Sequence, residues 1–285
     1  MLSVEQSYDW CRRLTKQRAR NFYYGFALLP RAKRDAICAV YAFMRYCDDL
    51  SDEPGADGDH GLAKMAEWRA ELDCTLAGER NNNPLWPAFL DVVARYGIPR
   101  SCFYDMIDGV SSDLQPQRFD TFEDLYRYCY RVASVAGLSA IYIFGFDSPE
   151  APALAEKCGV AFQLTNILRD VREDAGRGRV YFSEDDMQSV GVSRDEVLRA
   201  ERTDGLVRLM EHQAARARAY YDASAPLVGL VSKDSRPALW ALIEIYRRLL
   251  VRIEESGFNV FGPRLRLPAW EKCWIGLLAG VGRRG

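Results

Sequence analysis

The sequence has few of the residues from which zinc sites, catalytic triads and redox motifs are built. Its only two histidines are His60 and His212, which leaves little for a zinc site or a serine-histidine triad. The eight cysteines occur singly, mostly in apolar segments, and none belongs to a Cys-x-x-Cys pair. Such cysteines are typical of small core residues in a reducing compartment.

The sequence also lacks a strong net charge and a long apolar run. A net charge of -2 argues against a nucleic-acid partner, because proteins that bind the phosphate backbone normally carry a basic excess. No run of about 18 apolar residues is present, and the N-terminus lacks the basic-then-apolar pattern of a signal peptide. We therefore expect a cytoplasmic protein.

Apolar residues recur at spacings of three and four through nearly the whole chain, while alternating strand patterns are almost absent. This pattern predicts an all-α protein, and the absence of a linker or an internal repeat favours one domain over residues 1–285. Ser3 is expected to cap a helix that ends near Arg18, and the segment 53–61, which contains His60, is expected to be an exposed mobile loop. Further helices are predicted from Pro30 and over 62–77, 84–96, 99–112, 122–144, 149–173, 195–228, 235–255 and from 268 onward.

Three carboxylates lie close together in the apolar segment 41–52, Tyr-Ala-Phe-Met-Arg-Tyr-Cys-Asp-Asp-Leu-Ser-Asp. On a helix, Asp48 and Asp52 are one turn apart, Asp49 lies beside them and Arg45 lies one short turn before Asp48. A segment this apolar should be buried, and isolated buried carboxylates cost several kcal/mol unless a cation compensates them. Mg²⁺ shared with a substrate phosphate is the usual cation for such a cluster.

A second polar stripe follows in the predicted helix 149–173. Asn166, Asp170 and Asp174 recur at spacing four, and Gln163 stands one turn earlier. The alternative interpretation is a solvated helix face on which Arg169 and Arg172 are salt-bridge partners. Taken alone, this stripe does not distinguish between the two.

Two such stripes in one helical chain can face each other across a bundle core and hold divalent ions that bind a diphosphate. The ions would stabilise the diphosphate as a leaving group. Arg45 and Arg169, with Arg177 or Arg179, could donate hydrogen bonds to its oxygens. A carbocation left behind needs a dry aromatic cavity, for which the candidate walls, each equally an ordinary core residue, are Phe22, Phe26, Tyr41 and Tyr128.

These motifs resemble those of the squalene and phytoene synthases, head-to-head prenyltransferases with the all-helical class I isoprenoid synthase fold. The Arg-x-x-Asp-Asp-x-x-Asp signature ends at Asp52, and the second motif runs from Gln163 to Asp174. Between them, Tyr-Cys-Tyr-Arg-Val-Ala-Ser-Val-Ala-Gly, residues 128–137, is similar to a third family motif. The resemblance covers nearly the whole chain.

The resemblance implies a role for each matching residue. Mg²⁺, with Mn²⁺ as an alternative ion, would be bound by Asp48, Asp52, Asn166, Asp170 and Asp174, with Asp49 in support. The catalytic set would comprise Asp48, Asp49, Asp52, Tyr41, Tyr128 and Asp170. Substrate would be bound by Arg45, Phe22, Gln163, Asn166, Arg169, Tyr246, Ala133 and Gly137.

Within these sets the resemblance implies finer assignments. Tyr41 would stand near the first allylic carbon, Tyr246 would reach back to the diphosphate, and Ala133 and Gly137 would let a prenyl chain pass close to their helix. Two departures blur the subgroup without removing a metal ligand: Ala19-Arg20-Asn21-Phe22 stands where many relatives have Ser-x-Ser-Phe, and Ser183 stands where they have proline.

The implied reaction joins two farnesyl diphosphates to presqualene diphosphate with release of diphosphate, on the route to squalene and hopanoids. The amino-acid sequences of segments 21–26, 47–52 and 259–267 look most like those of bacterial presqualene diphosphate synthases. The alternative is a phytoene synthase that uses two geranylgeranyl diphosphates. NADPH is not expected, because the relatives that use it are longer and because Gly176-Arg-Gly follows a helix and is no dinucleotide loop.

Functions of other classes are less consistent with the motifs. A non-catalytic helical scaffold has no reason to keep five aligned metal-type ligands, and a di-metal carboxylate oxidase would need Glu-x-x-His pairs that the sequence lacks. The apolar C-terminal piece from Trp270 is expected to dock on the bundle, with contact at the inner face of the membrane as the alternative. Enzymes of the same pathway are further expected partners.

Overall fold

The computed structural model describes residues 2–19, 22–52, 58–79 and 82–281, with the backbone alone for Asp52. Within these ranges the chain is helical, and its only β-type pairing is an isolated antiparallel bridge between Phe146 and Val231. The helices are α1 Val4–Arg18, α2 Phe22–Phe26, α3 Arg31–Asp52, α4 Asp59–Leu76, α5 Trp86–Tyr96, α6 Ser101–Ser112, α7 Phe122–Cys129, α8 Val135–Phe144, α9 Ala151–Gly176, α10 Glu184–Ser189, α11 Arg194–Arg199, α12 Asp204–Ser224, α13 Leu227–Leu230, α14 Arg236–Glu255 and α15 Ala269–Val281. The all-α prediction is confirmed.

Side-chain caps begin several of these helices where the sequence offers them. Ser3 accepts a hydrogen bond from the backbone N–H of Gln6, whose side chain accepts one from Ser3 N–H, and this confirms the predicted start of α1. Ser183, which replaces a common proline, accepts from Asp186 N–H and donates to the Asp186 carboxylate, so it caps α10.

Several predicted boundaries are wrong. α4 begins at Asp59, so His60 belongs to a helix, while residues 53–57 of the expected mobile loop lie outside the described ranges. The single helix predicted over 195–228 is three helices, because Ala200 adopts a left-handed φ of 50° after α11 and Thr203 caps a new helix at Asp204. The short helices α2 and α10 were not predicted, since five or six residues are too few to show a helical period.

The predicted helix 122–144 contains a π-helical turn over Tyr130–Ser134, between α7 and α8. This turn packs closely on Gly159 of α9, where an added Cβ would lie 2.4 Å from the Ser134 Cα. Ser134 Oγ also donates to the backbone oxygen of Glu156 at 2.8 Å. Because π-helical turns interrupt the regular stacking of side chains, they are frequent where a helix lines a functional cavity.

Five helices pack side by side around a central space: α3 contacts α8, α8 contacts α9, α9 contacts α14, and α14 contacts α2. A stacked aromatic core supports α3 from outside, where Phe43 lies 4.9 Å from Phe89 and Trp68 lies 4.7 Å from Trp86, measured between ring centroids. The space inside the ring is therefore walled by helices that are themselves anchored in the core. In the described ranges, no helix combines the length and the apolar character needed to cross a membrane.

Candidate active site

A cavity of about 520 Å³ lies within the ring of helices. Along α3 its lining changes from Ile37 and Val40 to Arg45 and Asp48, and along α9 it changes from Ala155 and Cys158 to the polar stripe that ends at Asp174. Both helices thus contribute apolar side chains first and charged side chains towards their C-terminal ends. The two predicted stripes line one cavity, which has charged and apolar parts.

The first acidic cluster lies at the cavity edge and is less buried than predicted. Asp48 lines the cavity with its side chain 48% exposed, while Cys47 and Phe43 on the other face of α3 are buried. Asp49 is not among the lining residues and instead forms an ion pair with Arg45, which fits a supporting position. The side chain of Asp52 lies outside the described residues. The apolar residues of 41–52 form the buried face of α3, and the carboxylates occupy the opposite face.

The second stripe is a buried wall of the cavity and not a solvated face. Asp170 and Arg169 are 13% and 10% exposed, and Nε of Arg169 donates to Asp170 at 2.8 Å. The pairing that the alternative interpretation proposed for Arg169 therefore exists, but inside the cavity. Arg172, the other arginine of that interpretation, donates to the backbone oxygen of Phe261.

Arg264 is a cavity residue whose role was not predicted from the sequence, although its segment, 259–267, is one that carries the resemblance. It comes from the segment between α14 and α15 and donates two hydrogen bonds to Asp170, at 2.8 and 2.6 Å. Burial alone would raise the pKa of the Asp170 carboxyl, but Arg169 and Arg264 outweigh it, so this pKa lies below its usual range. Asp170 is therefore ionised at neutral pH.

Two other groups of the stripe lack such compensation. Burial, together with the negative charges of Asp170 and Glu173, raises the pKa of Asp174 to about 7. The Oδ1 atom of Asn166 is buried and receives no hydrogen bond from any described residue. Across the cavity, Arg45 Nε is buried and has no acceptor in the described ranges. The charged part of the cavity therefore contains a buried acceptor and a buried donor that have no hydrogen-bond partner among the described residues.

The oxygen atoms of Asn166 and Asp174 suit a hard divalent cation. The described side chains contain no ready cluster of three histidine, cysteine or acidic ligands, although Asp52 stands outside that set. A buried amide oxygen without a donor and a buried carboxylate with a raised pKa would both be stabilised by a cation, and Mg²⁺ prefers oxygen ligands. The predicted ligands Asp48, Asn166, Asp170 and Asp174 all line the cavity, and Mg²⁺ binding by them stays a prediction.

An aromatic wall crosses the cavity through four helices. Tyr41 lies 6.5 Å from Phe26, Phe26 lies 6.1 Å from Phe22, Phe22 lies 5.6 Å from Tyr246, and Tyr246 stacks on Phe162 at 4.2 Å, all between ring centroids. Burial raises the pKa of Tyr41 to about 12, so its phenol stays neutral. The candidate walls predicted from sequence therefore line the cavity together with Phe162, which was not among them.

Tyr128 belongs to a second aromatic group organised by Asp113. The Tyr128 hydroxyl donates to Asp113 Oδ2 at 2.9 Å, and the Tyr181 hydroxyl donates to Oδ1 at 2.8 Å. Arg179 donates to the backbone oxygen of Asp113 at 2.9 Å, and the two tyrosine rings stack at 5.0 Å. All four residues line the cavity, but no role was predicted for Asp113 or Tyr181.

The remaining residues assigned by resemblance also line the cavity. Gln163 accepts a long hydrogen bond of 3.4 Å from Asn166 Nδ2. Ala133 lies in the π-helical turn, and Gly137 lies where an added Cβ would be 3.3 Å from the backbone oxygen of Ala155. Small side chains at these two positions keep the apolar part of the cavity open, and their binding role stays a prediction.

Comparison with known proteins agrees with this geometry. Residues 15–271 match the family model described as squalene/phytoene synthase. The chain belongs to the squalene/phytoene synthase family. Enzymes of this family are prenyltransferases that use prenyl diphosphates, molecules with a charged and an apolar half.

Curated members of the squalene/phytoene synthase family align with most of the chain. The 15-cis-phytoene synthase of Synechococcus elongatus is 36% identical over 284 residues, which cover 95% of this chain and 92% of the relative. The chloroplastic phytoene synthase 1 of Arabidopsis thaliana is 38% identical over 266 residues, 91% of this chain and 62% of that longer protein.

Solved structures of the family have the same fold. A dehydrosqualene synthase in complex with ligand superposes with a TM-score of 0.89 at 30% identity, covering 98% of this chain and 97% of the other. A squalene synthase from Alicyclobacillus acidocaldarius gives a TM-score of 0.82 at 30% identity, over 90% of this chain and 96% of the other. The isoprenoid synthase type of helical fold, expected from the resemblance, is thereby confirmed.

Proposed function

We propose that this enzyme condenses two prenyl diphosphates head to head, and that geranylgeranyl diphosphate is the substrate, with phytoene as the product. The observation that carries the condensation is the single cavity in which acidic stripes on α3 and α9 meet an aromatic, apolar interior. The names of the curated relatives favour geranylgeranyl over the farnesyl substrate expected from sequence alone. One domain over residues 1–285 would carry the reaction.

The length of the cavity lining is consistent with a long prenyl chain. On α9 the lining runs from Ala155 to Asp174, a rise of about 28 Å along the helix axis. A chain of four isoprene units has about sixteen bonds and spans roughly 19 Å when extended as a polypeptide backbone is. The charged end of this wall is left for the diphosphate, and the apolar end for the tail.

The first step breaks a carbon–oxygen bond, and the diphosphate leaves with the electron pair. Arg45, through its unpaired Nε, and Arg169 and Arg264, through their guanidinium groups, would donate hydrogen bonds to the departing oxygens. Mg²⁺ held by Asp48, Asp52, Asn166, Asp170 and Asp174, with Mn²⁺ as a substitute, would supply Lewis-acid stabilisation of the leaving group.

The allylic cation then meets the double bond of the second substrate. A new carbon–carbon bond forms, and loss of one proton, for which the released diphosphate is the expected base, closes a cyclopropane. The faces of Tyr41, Phe22 and Phe162 stabilise the positive charge and keep water away from it. The products of this half-reaction are one cyclopropyl diphosphate, one diphosphate and one proton.

A second candidate is the condensation of two farnesyl diphosphates to presqualene diphosphate, on a route to squalene or hopanoids. The structural similarity to a dehydrosqualene synthase and a squalene synthase favours it. Neither candidate requires NADPH to reach the cyclopropyl diphosphate. Enzymes that supply the prenyl diphosphate or consume the hydrocarbon are the expected partners.

The test is a product assay with the purified full chain, Mg²⁺ and either geranylgeranyl or farnesyl diphosphate, without NADPH. We expect phytoene from geranylgeranyl diphosphate, and no turnover after a chelator removes the metal. Turnover of farnesyl diphosphate alone, with presqualene diphosphate accumulating, would favour the second candidate. If a folded protein turned over neither substrate with Mg²⁺ or Mn²⁺, head-to-head condensation itself would be refuted.

A further inference from the structure

The C-terminal helix α15 has two apolar faces, only one of which packs on the protein. Lys272, Ile275 and Ala279 are buried against α14 and α2, as expected for docking on the bundle. The outward face is formed by Trp270, Trp274, Leu277, Leu278 and Val281, which recur at helical spacing. Of the nine large apolar side chains that are exposed in the described ranges, these are five, so the exposure is concentrated on one helix.

We propose that this outward face, Trp270 to Val281, binds the surface of an anionic lipid bilayer, so that α15 lies in the membrane interface without crossing it. The proposal goes beyond the proposed function and does not depend on it. Trp270 and Trp274 are 69% and 56% exposed, and tryptophan is enriched at the depth of lipid headgroups.

The charges around the face favour anionic lipid. Glu271 is the only acidic residue of α15, and its side chain is 13% exposed and neutralised by Arg248 and Arg252. Both arginines are more exposed than their acidic partner, Arg266 precedes the helix, and two more arginines follow it in the sequence. Basic groups beside an interfacial helix add attraction to negatively charged headgroups.

The size of the face argues against a second copy of the chain as its occupant. A helix of 13 residues is about 20 Å long and about 10 Å wide, which gives a face of roughly 200 Å². A stable protein interface needs about 800 Å² from each partner. A lipid surface has no such minimum, because interfacial helices bind in proportion to the apolar area they insert.

The face also lies one helix away from the cavity. α15 packs on α2, and Phe22 and Phe26 of α2 line the cavity on its other side. Between the two surfaces, Lys272 Nζ stands 5.7 Å from the ring centroid of Tyr24. A bilayer bound by α15 would therefore meet the protein next to the wall that encloses the apolar part of the cavity.

The test is co-flotation of the full chain with vesicles of phosphatidylcholine, with and without phosphatidylglycerol. We expect binding that is stronger on the anionic vesicles and weaker at high salt. Trp270→Ser combined with Trp274→Ser should lower the partition coefficient at least about tenfold, and Leu277→Asp should lower it as a separate single variant. Leu2→Ser combined with Val4→Ser, which removes two exposed apolar side chains at the N-terminus, should leave binding unchanged.

Thermal unfolding of each variant shows that the fold is retained, since the replaced side chains are exposed. The proposal fails if the wild-type chain does not float with anionic vesicles, or if the double tryptophan variant floats as well as the wild type. It also fails if light scattering detects a wild-type dimer that the double variant abolishes, because the face would then be a protein interface.

Discussion

The Tyr128 hydroxyl donates its hydrogen to the Asp113 carboxylate across 2.9 Å, at the wall of the reaction cavity. The same carboxylate accepts from Tyr181. The Tyr128 phenol is therefore held in one orientation by a carboxylate that binds two tyrosines. We propose that this phenol faces the reacting chains and that Asp113 is a positioning residue for it.

Asp113→Ala should release both phenols and lower kcat about 10- to 100-fold, with little change in KM, because the ground-state substrate is held elsewhere. Steady-state kinetics measure the two parameters, and product analysis should find a larger share of the cyclopropyl diphosphate. Asp108→Ala on α6, the helix that Asp113 follows, is the control, since Asp108 is exposed and pairs with Arg69. Equal losses in both variants would assign the effect to α6 and not to the phenols.

Arg264→Gln should weaken diphosphate binding. The substitution removes a charged donor, which is typically worth about 1.5–3 kcal/mol, so KM for the prenyl diphosphate should rise at least about tenfold. Arg264→Lys should restore part of the affinity, because the charge returns without the paired hydrogen bonds. Arg266→Gln, an exposed arginine two residues away, is the matched control, and a KM equal to that of Arg264→Gln would contradict the assignment.

Asp170→Asn should lower kcat by about 10²–10³-fold and raise the Mg²⁺ concentration needed for half-maximal activity. The amide keeps the volume of the side chain but loses the charge that a divalent ion needs. Asp48→Asn should have an effect of the same kind. Asp185→Asn replaces an exposed carboxylate outside the cavity and should change neither quantity. Full activity of Asp170→Asn and Asp48→Asn would refute the metal assignment.

Asp186 should make stability depend on pH. Burial opposes ionisation of this carboxyl, but hydrogen bonds from Arg216 and Ser183 outweigh burial and keep its pKa below the usual value. A lowered pKa stabilises the fold above the unfolded-state pKa of about 4, and this contribution is lost as the pH falls through the lower folded value.

Asp186→Asn should therefore lower the free energy of unfolding at pH 7 by about 2 kcal/mol or more, because it leaves Arg216 without its partner. The difference from wild type should shrink below pH 4. Chemical denaturation at several pH values measures it, and a difference that stays constant down to pH 3 would contradict the ion-pair explanation.

Gly159→Ala should destabilise the fold, because its Cβ would lie 2.4 Å from the Ser134 Cα of the π-helical turn. Overpacking of this kind costs about 1–3 kcal/mol. Gly176→Ala on the same helix is the control, since nothing lies within 4 Å of its Cβ, and it should be neutral or stabilising by up to about 1 kcal/mol. The melting temperatures of the two variants test the comparison, and equal values would contradict the close approach.

The parts of the site that could be predicted are those whose residues all belong to one helix. Asn166, Asp170 and Asp174 recur at one spacing, so a single helical face follows directly from the sequence. Ser3 is similar, because its capping partner is three residues away. In both cases the interaction is local, and local geometry is encoded in residue spacing.

The parts that could not be predicted depend on contacts between distant segments. Arg264 reaches Asp170 across 94 positions, and Tyr181 meets Asp113 across 68. Each of these residues is an ordinary polar residue in its own segment. The π-helical turn is also invisible to periodicity, because it depends on how closely Gly159 lets two helices approach.

The position of Arg264 makes the segment between α14 and α15 part of the cavity wall. The arginine lies between α14, which carries Tyr246, and α15, which packs on α2. A shortened protein that stopped after Glu255 would keep both acidic stripes and yet lose a guanidinium from the charged part of the cavity. Solubility should therefore be improved by substituting the outward apolar side chains of α15 one by one, and not by truncation. The segment before α15 should stay intact.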